Sequence, residues 1–102
     1  MFIDLICLGV GAGQSMVYQG HCSSAFVVRV NRQPVLLIDI GFGVVRQCLA
    51  QVQSIPRYIY ITHNHGDHAA ELPICAAVEK HVTVVAQVSD RCSVNGVDAR
   101  YF

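Results

Sequence analysis

The sequence predicts an α/β (α+β) domain, a mixed and mostly antiparallel sheet with two helices, and three observations carry that expectation. Short apolar runs rich in β-formers recur along the chain, two stretches switch to helical spacing, and glycine, proline or asparagine marks each change of period. At 102 residues the chain has the size of one small domain with a single hydrophobic core.

Ile3 to Leu8 is an apolar run stopped by Gly9-Val10-Gly11-Ala12-Gly13, so it is expected as a buried strand followed by a loop. Glycine and serine continue to about Ser24, with Val17-Tyr18 as a short strand inside the loop. Phe26-Val27-Val28-Arg29-Val30, the turn Asn31-Arg32-Gln33-Pro34 and the run Val35 to Ile40 spell strand, turn, strand. After Gly41-Phe42-Gly43, residues Val44, Val45, Cys48, Leu49 and Val52 fall at helical spacing while Arg46, Gln47, Gln51 and Gln53 face away. That predicts an amphipathic helix of about three turns, ended by Pro56.

Tyr58-Ile59-Tyr60-Ile61 is a short strand that runs into a histidine-rich loop. A second helix is predicted from Glu71 to about Lys80, with Pro73 tolerated in its first turn. Val82 to Ala86 is another buried strand, and Asn95-Gly96 is a type I′ turn signal that folds Arg91 to Val94 back on Val97 to Tyr101. No repeat, low-complexity tract or linker divides the chain.

The composition is 53% hydrophobic and 14% charged, against roughly 25% charged residues in an average soluble domain. Such a chain is expected to have much of its surface covered, by a missing half or by a partner. The net charge is zero and no block of Lys or Arg tracks a phosphate backbone. Five cysteines (Cys7, Cys22, Cys48, Cys75, Cys92) include no C-x-x-C pair and are odd in number, which suits reduced thiols in a cytosolic protein. Cys7, Cys48 and Cys75 lie on apolar faces and are expected in the core. The start lacks a cationic n-region, and no apolar stretch approaches the ~18 residues of a membrane span. A soluble, cytoplasmic protein without membrane contact is expected.

The densest chemistry is Thr62-His63-Asn64-His65-Gly66-Asp67-His68. Residues two apart in extended backbone project to one side, so His63 and His65 are able to present two imidazoles to one ion as the strand ends. Gly66 permits a sharp turn, and Asp67 and His68 on that turn offer a carboxylate oxygen and a third imidazole to a second ion close by. Three of the five histidines gather here, directly after an apolar strand, where functional residues concentrate.

This run is similar to the T-H-x-H-x-D-H signature of the metallo-β-lactamase superfamily. Leu36-Leu37-Ile38-Asp39-Ile40-Gly41 resembles the strand ending in D-x-G that precedes the signature there. Within the superfamily the likeness is to the ribonuclease Z group of phosphodiesterases: Leu8-Gly9-Val10-Gly11 resembles its L-G-x-G opening, Gly41-Phe42-Gly43 to Leu49 its glycine turn and helix, and Leu72-Pro73 part of its G-L-P. Glu71 stands where that group has glycine.

The resemblance implies half of a four-layer αββα sandwich, with residues 1–102 as the truncated N-terminal part of the domain. An isolated half would expose an apolar face and self-associate or be unstable. It implies two divalent metal ions, Zn2+ with Mn2+ or Fe as substitutes, His63 and His65 on the first and Asp67 and His68 on the second. Asp67 is also implied as a proton acceptor, and Asp39 as a hydrogen-bond acceptor beneath the loop for a ligand imidazole N–H. The family completes its site from further along the chain, and His21, His81, Asp90 and Asp98 stand in no matching motif; His81 is expected only to complement a helix C-terminus. The implied activity is hydrolysis of a phosphodiester, RNA included, by a metal-bridged hydroxide. Other readings are a metallo-hydrolase of thioesters, lactones or β-lactams, and a non-catalytic metal-binding module. Implied partners are the phosphodiester, a second copy in a homo-oligomer, or a complementing C-terminal half.

Overall fold

In a computed structural model the sheet is built outward from the predicted hairpin. The structure describes residues 1–63, 66–86 and 93–101, so His65, Asp90, Arg91 and Cys92, named above, lie outside the described residues. Asn31 and Arg32 both take positive φ (50° and 66°), which closes a two-residue turn whose twist matches the flanking strands. Strands β2 (Ala25–Val30) and β3 (Gln33–Ile38) pair antiparallel around it. The turn is thus two residues rather than four, and Gln33 and Pro34 belong to the strand. A register shift between Val28 and Arg29 sits opposite Pro34, which has no N–H for the ladder.

Strand β1 (Ile3–Gly9) lies antiparallel on the other side of β2. Arg29 bonds Asp4 across that pair through both guanidinium nitrogens facing it, which holds the Asp4 carboxyl below its ordinary range. On the free side of β3 the pairing turns parallel: β4 (Tyr58–Ile61), β5 (Thr83–Ala86) and β8 (Arg100–Tyr101) follow in order. Parallel neighbours require a crossover. Helix α2 (Val44–Val52) supplies it between β3 and β4, and the one-turn α3 (Gly66–Ala69) with α4 (Leu72–Val78) between β4 and β5. The result is the expected α/β mixed sheet, in the order β1-β2-β3-β4-β5-β8, but it is not mostly antiparallel: three of its five pairings are parallel, because helical crossovers instead of hairpins join β3 to β4 and β4 to β5.

Three local expectations change. Val17-Tyr18 closes a short helix, α1 (Gly13–Tyr18), instead of forming a strand; two β-formers with no strand to pair with satisfy their backbone locally. The second predicted helix stops at Val78, and a separate turn of helix precedes it. The Asn95-Gly96 turn does form (φ 51° and 80°), but β6 (Ser93–Val94) and β7 (Val97–Asp98) make a two-stranded sheet of their own, and only β8 joins the main one.

One face of the main sheet is the core. Val27, Leu37, Ile59 and Val84 stand in a single row across β2 to β5, all buried. Val44 and Cys48 of α2 and Leu72 and Cys75 of α4 pack into the same cluster; each such side chain contributes roughly 1.5–3 kcal/mol by leaving water. Burial pushes the Cys48 and Cys75 thiols up to about 11. Cys7, expected in the core, is exposed. Period two along β1 puts it on the face of Ile3 and Leu5, which is opposite the helices. Among the described residues no helix is long and apolar enough to cross a membrane.

Candidate metal-binding loop

Strands β3 and β4 run parallel and in register (Ile38 beside Tyr60), so Asp39 and Thr62 leave the sheet at the same edge. This is the carboxyl end of adjacent parallel strands, where α/β sheets place their sites. Asp39 keeps its N–H on the Tyr60 carbonyl (2.8 Å) and takes φ +66°, a left-handed conformation that aspartate tolerates better than most residues. The turn directs its carboxylate under the following loop, where it is 5% exposed.

That carboxylate accepts three hydrogen bonds. Thr62 N–H donates to Oδ1 (2.8 Å), and Thr62 Oγ1 (2.7 Å) and His68 Nδ1 (2.7 Å) both meet Oδ2. An ionised carboxylate only accepts, so His68 carries its proton on Nδ1 and the Thr62 hydroxyl proton points at Asp39. Toward His63 Nδ1, 3.0 Å away, the Thr62 oxygen is then left as an acceptor. One buried carboxylate therefore assigns the tautomer of two imidazoles, His68 directly and His63 through Thr62, and turns the Nε2 lone pair of His68 toward Asp67. The two rings lie 4.1 Å apart between centroids at 45°.

Asp67 completes the described part. Its Oδ2 lies 3.5 Å from His68 Nε2 and accepts the Gly13 N–H (3.2 Å), so the first residue of α1 orients the carboxylate. Two lone-pair atoms facing each other at this distance call for a cation or proton between them. Two donors bound at ~2.0–2.1 Å to a tetrahedral zinc lie about 3.4 Å apart, so the nitrogen and oxygen present fit one edge of such a site. Among the described residues no three His, Cys, Asp or Glu side chains are grouped to hold an ion. The sequence-predicted ligand His65 is outside the described residues.

The backbone around the loop is tied to the sheet at close quarters. Ile40 N–H donates to the His68 carbonyl (2.9 Å) and Glu71 N–H to the Ile40 carbonyl (3.0 Å). A Cβ on Gly41 would stand 2.0 Å from the Asp67 carbonyl oxygen, which is why the Asp-x-Gly pattern needs glycine there. Gly11 is pressed in the same way, its N–H on the Cys22 carbonyl (2.8 Å) and the position of a Cβ 2.5 Å from that oxygen.

Glu71 has a definite task. Its Oε2 accepts the Gly43 N–H (2.8 Å) and its Oε1 the Val45 N–H (2.9 Å). Helix α2 has Gly43 as N-cap with no side-chain cap of its own, so a carboxylate three residues beyond His68 satisfies its first donors and its dipole. Sequence reasoning treated Thr62 only as a motif letter and missed Gly13 and Glu71 as partners; the clue to Glu71 was an α2 start with no Ser, Thr, Asp or Asn before it. His21 is exposed, with its backbone N–H on Met16 O (3.1 Å), and His81 lies at the opposite end of the parallel strands, 3.3 Å from the Ile55 carbonyl and 3.6 Å from Glu79.

No family model matches the chain. It is 38% identical over 74 residues to a ribonuclease Z of Lactiplantibacillus plantarum, a match covering 70% of this chain and 24% of that protein. A ribonuclease Z of Pseudomonas putida is 37% identical over 73 residues, covering 70% and 23%. The fold is similar to that of the metallo-β-lactamase FIM-1 of Pseudomonas aeruginosa, crystallised in a mono-zinc form, with TM-score 0.51 and 14% identity over 84% of this chain and 37% of the other. The chain belongs to the metallo-β-lactamase superfamily. Membership was legible in the histidine loop, and the superfamily's mixed α/β layering is what the sheet and its helices display. The chain spans about a quarter of the length of the curated superfamily relatives it matches.

Proposed function

We propose that this chain carries part of the active site of a metal-dependent hydrolase of the superfamily, a ribonuclease Z-like phosphodiesterase acting in the cytoplasm on RNA or a smaller phosphodiester. The observation that carries the reading is the Asp39 carboxylate, whose three bonds order Thr62 and His68 and turn His68 Nε2 toward Asp67. The identity to two ribonuclease Z proteins favours a phosphodiester over a thioester, lactone or β-lactam.

In this reading His63, His65, Asp67 and His68 hold two divalent ions, zinc first, with manganese or iron as substitutes. The chemistry a bound pair supplies there is acidification of a water and neutralisation of charge on the group attacked. The protein's own part is pre-organisation. Asp39 holds His68 with Nε2 unprotonated, Thr62 passes the same constraint to His63, and Gly13 N–H aims the Asp67 carboxylate, which receives the proton of the attacking water.

The test, on the complete domain that contains these residues, is metal analysis after zinc loading together with turnover of bis(p-nitrophenyl) phosphate, S-lactoylglutathione and nitrocefin. About two ions per chain and preferential phosphodiester cleavage, both abolished in Asp67→Ala and His68→Ala, are the expected results. At most one ion with no turnover of any substrate would instead assign a non-catalytic metal-binding module, and preference for the thioester or lactam would overturn the substrate class.

A further inference from the structure

The turn Asn95-Gly96 joins β6 to β7, two short strands that pair outside the main sheet. The hairpin is anchored all the same: Val94 is buried in the core cluster and Val97 packs against it, so the turn between them has a fixed place in the fold. Both turn residues take positive φ, which asparagine and glycine accept. From that turn the Asn95 side-chain amide reaches across 26 residues of chain and donates from Nδ2 to the Ala69 carbonyl (2.8 Å). Ala69 is the last residue of α3, directly after His68. A helix of one turn has little stability of its own, so Asp67 and His68 are placed by bonds made to the turn from outside it. Gly13 holds the Asp67 carboxylate, Asp39 the His68 ring and Ile40 the His68 carbonyl. The carboxyl end of such a turn leaves carbonyls short of donors, and the residue four beyond Ala69 is Pro73, which has no N–H to give. Asn95 supplies a donor there.

We propose that Asn95 is a positioning residue of the metal loop: its amide clamps the carboxyl end of α3 and so keeps His68 Nε2 aimed at Asp67 Oδ2. The clamp itself stands on geometry, and its purpose rests on the metal-binding reading of that pair. Asn95 thus does two separable things, closing the hairpin with its backbone and holding the loop with its side chain. The coupling runs both ways, because a hairpin that steadies the ligands is in turn steadied when they are bound.

Two variants of the complete domain that contains these residues separate the two tasks. Asn95→Gly keeps the positive φ and deletes the amide, and Asn95→Asp keeps a favoured turn residue but turns the donor into an acceptor. In the metal-free protein, hydrogen exchange by NMR should quicken at least about fivefold in both variants at the His68 Nδ1 proton and at the Ile40 amide, whose acceptor is the His68 carbonyl. The amides of β4 should keep their rates. Zinc affinity, read by titration calorimetry, should fall at least about fivefold in both variants. Exchange altered only within residues 93–98 would reduce Asn95 to a turn residue and overturn the proposal. Faster exchange throughout, β4 included, would mean general destabilisation and overturn it as well, and so would zinc affinity within about twofold of the parent. A parent that binds no zinc, with His68 and Ile40 responding as expected, would support the clamp and overturn the metal-binding reading instead.

Discussion

Replacing Asp39 by asparagine changes one atom and should lower both stability and metal affinity. The carboxylate accepts on both oxygens, once on Oδ1 and twice on Oδ2. An amide with its oxygen at the Oδ2 position keeps Thr62 Oγ1 and His68 but presents N–H to the Thr62 N–H, stranding a donor at a cost of about 1–3 kcal/mol. The flipped amide keeps the Thr62 N–H and donates to His68 Nδ1 and Thr62 Oγ1. It satisfies every partner, but the His68 proton must move to Nε2 and the Thr62 proton must swing to His63. The cost is then the conversion of three charge-assisted bonds to neutral ones, roughly 1 kcal/mol each and about 2–3 kcal/mol in all. For a domain of this size that lowers the melting temperature by about 10–20 °C. Zinc affinity should fall about 10- to 100-fold, because the lone pair on His68 Nε2 is lost. Circular dichroism melts, zinc titration calorimetry and nitrogen NMR of the imidazole tautomers read the three quantities. A variant that melts within 2 °C of the parent and keeps the Nδ1–H tautomer of His68 would refute the account of how the loop is ordered.

Three further outcomes follow from the same geometry. Glu71→Ala removes both caps of α2 and should cost about 2 kcal/mol in urea unfolding, with Glu71→Gln losing roughly half of that because an amide retains one acceptor; equal stability of all three proteins would show that solvent caps the helix as well. Gly41→Ala places a methyl 2.0 Å from the Asp67 carbonyl, so a loss of more than about 3 kcal/mol and of metal binding is expected, and a variant that binds zinc like the parent contradicts the close approach. The thiols of Cys48 and Cys75 are held near 11 in the fold against 9.0 without it. Between these values the unfolded chain has released protons that the folded chain keeps, so stability is intact below pH 9 and falls as pH rises toward 11. The slope is up to about 1.4 kcal/mol per pH unit for each thiol. Urea midpoints at pH 8.5, 9.5 and 10.5 should decline in the parent and less steeply in Cys48→Ala; parallel curves would show that these thiols are not the cause.

The strand and helix pattern was legible because it depends on local chemistry. Val44, Cys48 and Val52 could be placed on one helix face by spacing alone, and the chain turns at Asn31 and at Asn95-Gly96, where asparagine and glycine accept positive φ. Elements whose state depends on neighbours were not legible in this way. Val17-Tyr18 has strand composition but closes helix α1, and Cys7 has core composition but sits on the face opposite the described helices. Spacing also grouped the residues of the histidine loop, because four of them lie within six positions of one another.

What the sequence by itself determined is therefore the membership: the histidines and aspartate that resemble the superfamily's signature, the Asp-x-Gly strand end before them, and the alternation of strand and helix that brings both to one edge. What only the tertiary structure decided is the wiring. Asp39 reaches Thr62 and His68 across 23 and 29 residues of chain, Gly13 reaches Asp67 across 54, and Glu71 reaches Gly43 and Val45 across 28 and 26. Such bonds leave no trace in local periodicity, since their partners are set by which strands lie side by side and how closely the backbones approach. The exposure of Cys7 has the same origin, because alternation along β1 shows that a second face exists, while packing alone decides which face the described helices cover.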